Sequence, residues 1–180
     1  MKLIPTKLAG VSLIERVPHA DKRGFFARIF CEAEFSAGDR PFHISQINTS
    51  WNEKAFTLRG LHWKDAPEAE GKIIYVVRGK IFDVAVDLRP SSETFGKWFG
   101  VNLDARSGAG LHIPEGCAHG FLTLEPDTEV LYFMNRPHIA GFDRGAKWND
   151  PALGIAWPHA PEVISEKDEQ WPELNLSGLA

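Results

Sequence analysis

A tight turn in front of a histidine constrains the fold more than any other feature of this chain. It lies in the stretch Gly108-Ala-Gly-Leu-His-Ile-Pro-Glu-Gly-Cys-Ala-His-Gly-Phe121. Pro114 fixes its own φ and Gly116 supplies conformational freedom, so the chain reverses direction within a few residues. We expect this reversal to join two strands and to deliver His119 to the start of the second one.

A second stretch predicts a β-hairpin. The apolar run Lys72–Arg78 is followed by a Gly79-Lys80 turn and then by Ile81–Arg89, which alternates strictly. One face of this second strand is apolar and predicts a firmly buried surface: Phe82, Val84, Val86 and Leu88. The opposite face is mixed and holds Ile81, Asp83, Ala85, Asp87 and Arg89. Its two aspartates would meet solvent in an open sheet, or line the mouth of the cavity in a barrel.

Further short β-like runs are separated by Gly, Pro, Asn and Asp. They are Phe25–Phe30, Ile44–Asn48, Thr94–Leu103, Gly110–Ile113, Gly120–Leu124 and Glu129–Asn135. Long helical patterns are absent, and the short helix candidate is Cys31–Ala37. This pattern predicts a mostly β sandwich or barrel with short helices. We expect one domain over residues 1–180, with an N-terminal strand arm over about 1–50, a barrel over about 51–150 and an irregular, proline-rich C-terminal tail that wraps it over 151–180.

Composition and local patterns exclude several classes of protein. A chain of 180 residues with 43% hydrophobic residues can bury one substantial core. The formal net charge of −4 gives no reason to expect nucleic acid as a partner. Apolar runs are too short to span a membrane, and the N-terminus lacks a signal-peptide pattern, so we expect a cytoplasmic protein.

Nucleophile and phosphate-loop motifs are likewise missing. There is no Gly-x-Ser-x-Gly and no glycine-rich loop before a helix, which argues against serine-hydrolase and phosphate-loop sites. Cys31 and Cys117 are too few for a disulfide framework, and we interpret them as buried thiols. A catalytic Cys117 beside His119 is the alternative.

Three side chains stand out as candidates for chemistry: His62, Tyr132 and Asp83. Each has a simpler interpretation when taken alone, since a single histidine is more often structural and a tyrosine in an apolar run more often belongs to the core. Arg59 and Lys72, taken alone, would be surface charges.

The turn around Pro114 resembles the second sequence motif of the cupin barrels. That motif normally has an asparagine four residues after its histidine, where this chain has Thr123. The first cupin motif normally offers two histidines one residue apart and then a glutamate, whereas the matching region here offers only His62. We therefore expect a cupin-type barrel that works by acid–base chemistry without a metal. A metal site formed by His62, His112 and His119 is disfavoured, because the paired spacing is missing.

Nearly the whole chain resembles, in order, the dTDP-4-dehydrorhamnose 3,5-epimerase family. The matching stretches are Asp21–Phe26, Gln46–Ser50, Leu58–His62, Gly71-Lys72, Val76–Asp87, Thr94–Trp98, Ile113–Phe121, Leu131-Tyr132, Arg144–Pro151 and Ser165–Asp168. The resemblance implies a metal-free, dimeric cupin jelly roll that needs no cofactor and takes a nucleotide-diphospho-sugar. It also implies epimerisation at C3, C5 or both, beside the C4 ketone of a 4-keto-6-deoxy sugar, and a part in dTDP-rhamnose biosynthesis.

The family's catalytic positions fall on four residues. By resemblance, His62 is the general base and Asp168 orients and charges it. Tyr132 is the general acid on the opposite side of the sugar, and Lys72 stabilises the enolate oxygen. The chemistry suits these residue types, because a ketone acidifies the neighbouring C–H bonds, histidine titrates near neutral pH and a fixed cation stabilises a developing oxyanion.

The resemblance also assigns substrate-binding positions. Other cavity positions fall on Arg59, Asp83 and His119. The nucleotide-diphosphate and sugar positions fall on Arg23, Phe26, Gln46, Asn48 and Ser50, and His138 stands where the family often has a tyrosine. The chain departs from the usual pattern at this residue and at Arg28, Ile47 and Thr49. Because the departures lie in regions associated with recognition, the resemblance defines the reaction class more closely than the nucleotide or the sugar.

Three alternatives share the same fold. They are a cupin monoepimerase or ketoisomerase acting on another nucleotide sugar, a non-catalytic sugar-binding cupin, and a metal-dependent cupin oxygenase. Joint retention of His62, Tyr132, Lys72 and Asp168 disfavours the second, and the missing paired histidines disfavour the third.

The N-terminal region predicts the assembly. The amphipathic run Phe25–Phe30 would be an exposed edge strand in a lone barrel, and such edges are normally paired or covered. The family pairs them across a two-fold dimer. We therefore expect a homodimer in which Arg23 and Phe26 complete the partner's pocket.

Overall fold

The computed structural model describes residues 1–36 and 41–179, which form short strands and three helices of four or five residues. The strands are β1 (Lys2–Pro5), β2 (Ser12–Glu15), β3 (His19–Asp21), β4 (Gly24–Phe26), β5 (Gln46–Asn52), β6 (Leu58–Lys64), β7 (Lys72–Arg78), β8 (Lys80–Asp87), β9 (Trp98–Asp104), β10 (Gly110–Ile113), β11 (Cys117–Thr123), β12 (Thr128–Met134) and β13 (Asp143–Gly145). The helices are α1 (Glu32–Ser36), α2 (Glu166–Glu169) and α3 (Leu176–Leu179).

Two large antiparallel sheets enclose the core. One has the strand order β1-β2-β10-β7-β12-β5 and the other β13-β6-β11-β8-β9, while β3 and β4 form a separate hairpin. Within the described residues the two large sheets share no strand, so they face each other as in a jelly roll and are not closed into one hydrogen-bonded ring. The prediction of a mostly β, cupin-type fold with short helices is confirmed.

The space between the sheets is filled by inward-facing residues of both. This inner cluster includes Ile74, Val76 and Val130 from the first sheet and Ile81, Ala85 and Phe121 from the second, all less than 5% exposed. Each alternates along its strand with an outward-facing neighbour, as the two-residue period of a strand requires. The polar end of the same interior forms the cavity described below.

The C-terminal tail covers the outer face of the second sheet. Val84 and Val86 of β8 pack in a cluster with Leu153, and partly buried residues of the tail, including Trp157 and Leu174, lie against it. The predicted apolar face of the hairpin is therefore buried by the tail, and the barrel interior lies on the opposite side of the strand.

Of the two alternatives for Asp83 and Asp87, exposure to solvent in an open sheet is excluded. Both are fully buried, because their face of β8 is the interior one. Asp87 accepts hydrogen bonds from Arg89 Nε at 2.8 Å and from the hydroxyls of Ser92 and Thr94 at 2.5 and 2.6 Å. Burial raises the pKa of Asp87, but these donors outweigh it and lower the pKa to about 2.

The N-terminal region covers the outer face of the first sheet. Phe35 of α1 and Phe42 pack on Ile73 and Phe133 of that sheet, and Phe30 lies against them. The predicted strand Phe25–Phe30 is therefore wrong beyond Phe26, because the chain leaves the hairpin there and Phe30 packs, partly buried, on the outer face of the first sheet. The predicted helix Cys31–Ala37 is seen as α1, and Ala37 lies outside the described residues.

Other predicted boundaries differ by a few residues. Lys72–Arg78 and Gly110–Ile113 are strands as predicted, whereas the strand predicted at Thr94 begins at Trp98. Thr94 is held in a turn instead, because its hydroxyl binds Asp87. The strand predicted at Ile44–Asn48 runs over Gln46–Asn52. Among the described helices, none has the length and apolar character needed to cross a bilayer.

Candidate active site

A cavity of about 380 Å³ opens between the two sheets. It is lined by polar groups from both: Asn48, Ser50, Arg59, His62, Lys72, His119, Phe121, Tyr132, Met134, Ser165, Lys167 and Asp168. Its volume lies in the range of small-molecule sites, and several titratable groups converge on it, which is typical of an active site.

A histidine–carboxylate pair forms one wall. His62 Nε2 lies 2.5 Å from Asp168 Oδ1, and the His62 side chain is 39% exposed while that of Asp168 is 6% exposed. Gly60 N–H donates to Asp168 Oδ2 at 3.2 Å and Trp171 Nε1 donates to Oδ1 at 3.3 Å. Burial raises the pKa of Asp168, but the hydrogen bond and charge of His62 outweigh it, so the pKa stays below its usual range. Asp168 is therefore ionised at neutral pH and places a negative charge beside the His62 ring.

Backbone features of two elements bring this pair together. Gly60 has φ +106°, and a Cβ there would lie 2.6 Å from the His119 carbonyl oxygen, so only glycine fits this close approach of β6 to β11. The β6–β11 register shifts at the same point, which puts Arg59 and His62 on one face despite their odd spacing. Ser165 caps α2 by accepting from Asp168 N–H, and this fixes the carboxylate in place.

Tyr132 forms the opposite wall, on β12 of the other sheet. Its hydroxyl lies 2.8 Å from Ser50 Oγ, and its ring centroid is 6.4 Å from that of His119. Burial raises the pKa of Tyr132 to about 12, although the Ser50 hydrogen bond and Arg59 act in the opposite direction. The phenol is therefore protonated at neutral pH and able to donate a proton.

Lys72 and His119 complete the cavity. Lys72, the first residue of β7, is a lining residue, and its ammonium lies 3.2 Å from Glu70 Oε1. His119 Nε2 lies 2.6 Å from Asp83 Oδ1, behind the lining, and both residues are buried. The cavity thus presents a histidine base, a protonated phenol and a cation, which together are able to move protons next to a carbonyl group.

Most of the predicted site residues meet at this cavity. It is lined by Asn48, Ser50, Arg59, His62, Lys72, His119, Tyr132 and Asp168, and Asp83 supports His119 from behind. Gln46 and His138 are linked to its rim, because Gln46 donates to Asn48 Oδ1 at 2.9 Å and accepts from His138 N–H at 2.9 Å.

Arg23 and Phe26 are not brought to this cavity. Arg23 pairs with Asp21 of its own hairpin at 2.6 Å, and Phe26 is 77% exposed. The departures at Ile47 and Thr49 also point away from the cavity, since they alternate with Asn48 and Ser50 along β5.

Four lining residues were not predicted. Phe121 and Met134 looked like ordinary core residues, and nothing in their local pattern distinguished them. Ser165 and Lys167 had a detectable signal, because Ser165-Glu-Lys-Asp168 has the serine-to-carboxylate spacing of a helix cap.

Two alternatives from the sequence find no support in the geometry. Burial raises the pKa of Cys117 to about 12, so its thiol is not activated. His112 lies on the outer side of the first sheet against Phe35 and Phe42, away from His62 and His119.

Comparisons with known proteins agree with the geometry. Residues 5–175 match the family model described as dTDP-4-dehydrorhamnose 3,5-epimerase. The chain belongs to this family. It is 44% identical over 168 residues to the dTDP-4-dehydrorhamnose 3,5-epimerase of Sinorhizobium fredii, covering 93% of this chain and 86% of that protein.

Solved structures of epimerases have the same fold. The dTDP-4-dehydrorhamnose 3,5-epimerase of Bacillus anthracis, with TDP and pyrophosphate bound, superposes with a TM-score of 0.92 and 39% identity over 96% of this chain and 99% of that one. A 3'-monoepimerase of Streptomyces bikiniensis, in complex with dTDP-quinovose, superposes with a TM-score of 0.87 and 32% identity over 97% of this chain and 87% of that one. Epimerases named for inversion at one carbon and epimerases named for inversion at two carbons therefore share this fold.

Replacing the carboxylate tests the histidine–aspartate pair of this family member. In Asp168→Asn the amide keeps a hydrogen-bonding group but loses the charge that favours imidazolium, so we expect kcat to fall about 10²-fold. Glu32→Gln is the matched control, because Glu32 lies 3.3 Å from the exposed His43 outside the cavity. Steady-state rates of both folded variants check this, and an Asp168→Asn rate equal to that of the control contradicts the assigned role.

Proposed function

We propose that this protein epimerises a dTDP-linked 4-keto-6-deoxy sugar at the two carbons that flank its ketone. The substrate would be dTDP-4-dehydro-6-deoxyglucose and the product dTDP-4-dehydrorhamnose. The observation that carries the proposal is the arrangement of the cavity, in which a carboxylate-paired histidine and a protonated tyrosine approach from opposite sheets.

The arrangement of these groups in the cavity suggests the mechanism. The imidazole of His62 removes a proton from the carbon beside the ketone, and Asp168 stabilises the imidazolium that forms. The electron pair moves into the carbonyl, and the Lys72 ammonium stabilises the enolate oxygen. Tyr132 then donates its proton to the other face of the carbon, which inverts that centre.

The same arrangement would serve C3 and C5 in turn. After one inversion, the product is still a ketone with an acidic C–H bond on its other side. A monoepimerase is the second candidate, because the Streptomyces bikiniensis enzyme has the same fold.

Product analysis tests this function. The purified protein is incubated with dTDP-4-dehydro-6-deoxyglucose, and the sugar is followed by proton NMR, with the UDP- and GDP-linked ketosugars in parallel. We expect dTDP-4-dehydrorhamnose from the dTDP sugar. A product inverted at one carbon would favour the monoepimerase, and unchanged sugars throughout would reject the proposal.

We further propose a homodimer with shared sites. The β3–β4 hairpin carries Phe25 and Phe26, which are 56% and 77% exposed, on a two-stranded unit outside both large sheets. Exposed aromatic residues of this size mark interaction surfaces. In the dimer, Arg23 would supply a cation to the diphosphate and Phe26 an aromatic face to the sugar or base.

Mixing two defective variants tests the shared site. The first variant is His62→Ala, and the second is Arg23→Ala with Phe26→Ala. In mixed dimers one site receives an intact base and an intact hairpin, so we expect refolded mixtures to recover up to about a quarter of the wild-type activity. Mixing at 1:1 followed by refolding and rate measurement checks this. Activity no higher than the average of the two separate variants, or a fully active monomer by light scattering, contradicts the proposal.

A further inference from the structure

Lys72 belongs to a group of three charged residues whose side chains are almost fully buried beside the cavity. Glu70 Oε1 is 3.2 Å from Lys72 Nζ, and Glu70 Oε2 is 3.0 Å from Lys64 Nζ. The side chains of Lys64, Glu70 and Lys72 are 3%, 9% and 9% exposed. We call these three residues the lysine triad.

The lysine triad bridges the two sheets at one side of the cavity. Lys64 is the last residue of β6, in the five-stranded sheet, and Lys72 is the first residue of β7, in the six-stranded sheet. Glu70 belongs to the loop between them. Lys72 lines the cavity, whereas Lys64 and Glu70 are not among the lining residues. Lys64 therefore does not line the site, and it would act on a bound sugar through its charge and through its contact with Glu70.

The charge balance of the lysine triad differs from that of a simple ion pair. One lysine and one glutamate would cancel, and a neutral pair stabilises a new negative charge only weakly. The second lysine leaves a net charge of +1 on the three residues, with Glu70 holding both ammonium groups by opposite oxygens. Removing one member of a buried charge network leaves the others uncompensated, so the three residues act as a unit.

We propose that Lys64 and Glu70 are positioning residues that act through Lys72 by keeping the net charge beside the enolate oxygen at +1. The inference rests on the proposed function, in which Lys72 faces that oxygen. Because the enolate charge develops during the reaction, the lysine triad stabilises the transition state more than the bound ketone.

Lys64→Gln is the direct test. The remaining Glu70–Lys72 pair is neutral, so we expect kcat for solvent-deuterium exchange to fall about tenfold or more with little change in KM. Lys64→Arg keeps the charge and should keep most of the rate. Lys64→Met fills the space of the lysine stem without its charge, and it repeats the test if the glutamine variant does not fold.

The double variant separates charge balance from structural support. Lys64→Gln with Glu70→Gln restores a net charge of +1 but removes both ion pairs, and we expect kcat to return to within about threefold of the wild type. Glu70→Gln alone leaves two buried ammonium groups without a counter-charge, so its Tm should fall. Asp65→Asn is the control, because Asp65 pairs with Arg144 at 2.7 Å just after β6 and outside the cavity.

The outcomes distinguish this inference from the proposed function. An inactive wild type rejects the proposed function, and the inference falls with it. With an active wild type, full kcat in folded Lys64→Gln or Lys64→Met overturns the inference, and so does a double variant as slow as Lys64→Gln. A fall in the single variant with recovery in the double variant supports it.

Discussion

His62→Ala is expected to lower the rate of solvent-deuterium exchange at C3 and C5 by about 10³-fold or more. The substitution removes the imidazole that pairs with Asp168 on the cavity wall formed by β6 and α2. Asp168 keeps its hydrogen bonds from Gly60 and Trp171, so the carboxylate is not left without donors. NMR exchange rates of the purified variant check the loss of rate, and circular dichroism checks that the variant is folded.

His43→Ala is the matched control for this variant. His43 also lies beside a carboxylate, Glu32, but its side chain is 78% exposed and it is not part of the cavity lining. We expect the control to exchange deuterium at the wild-type rate. Near-normal exchange in folded His62→Ala would show that another group removes the proton.

Tyr132→Phe is expected to separate proton removal from inversion. His62 remains intact and still forms the enolate, so hydrogen at C3 or C5 continues to exchange with solvent. Without the phenol no acid delivers a proton from the opposite face, and we expect inverted product to form about 10²-fold more slowly. Proton NMR in deuterated water follows exchange and inversion in one sample.

Tyr75→Phe is the control that removes the other tyrosine hydroxyl of the chain. Tyr75 lies on the outer side of β7 and donates to the Ile29 carbonyl, so the variant should lose about 1 kcal/mol of stability but no activity. Full inversion by Tyr132→Phe would reduce that residue to a packing role.

Local patterns predicted the parts of the fold that depend on neighbours in sequence. The strand Lys72–Arg78 and the turn at Pro114 and Gly116 follow from alternation and from turn residues within a few positions. The outer coverings depend instead on contacts between distant segments. Trp157 of the tail packs on Phe82, and Phe30 packs, partly buried, on the outer face of the first sheet after the hairpin ends at Phe26. Neither contact leaves a local signal.

In the candidate site, too, some features could be predicted from the sequence and others depend on contacts between distant segments. The residues carried over from the family, such as His62, Tyr132 and Lys72, meet at the cavity, but residue alternation alone did not place Arg59 and His62 on one face. The register shift opposite Gly60 does so. The burial of Asp83 required knowing that both faces of β8 are covered. Lys64 and Glu70 lie at and after a strand end, in a segment that resembles an ordinary charged loop.

Deuterium placement in the product tests the central proposal most directly. Wild-type protein and dTDP-4-dehydro-6-deoxyglucose are incubated in deuterated water, and the sugar is analysed by NMR and mass spectrometry. We expect a product that is inverted and deuterated at both C3 and C5, because each centre is deprotonated by His62 and reprotonated from the opposite face. Recovery of the sugar with both C–H bonds unexchanged would contradict it.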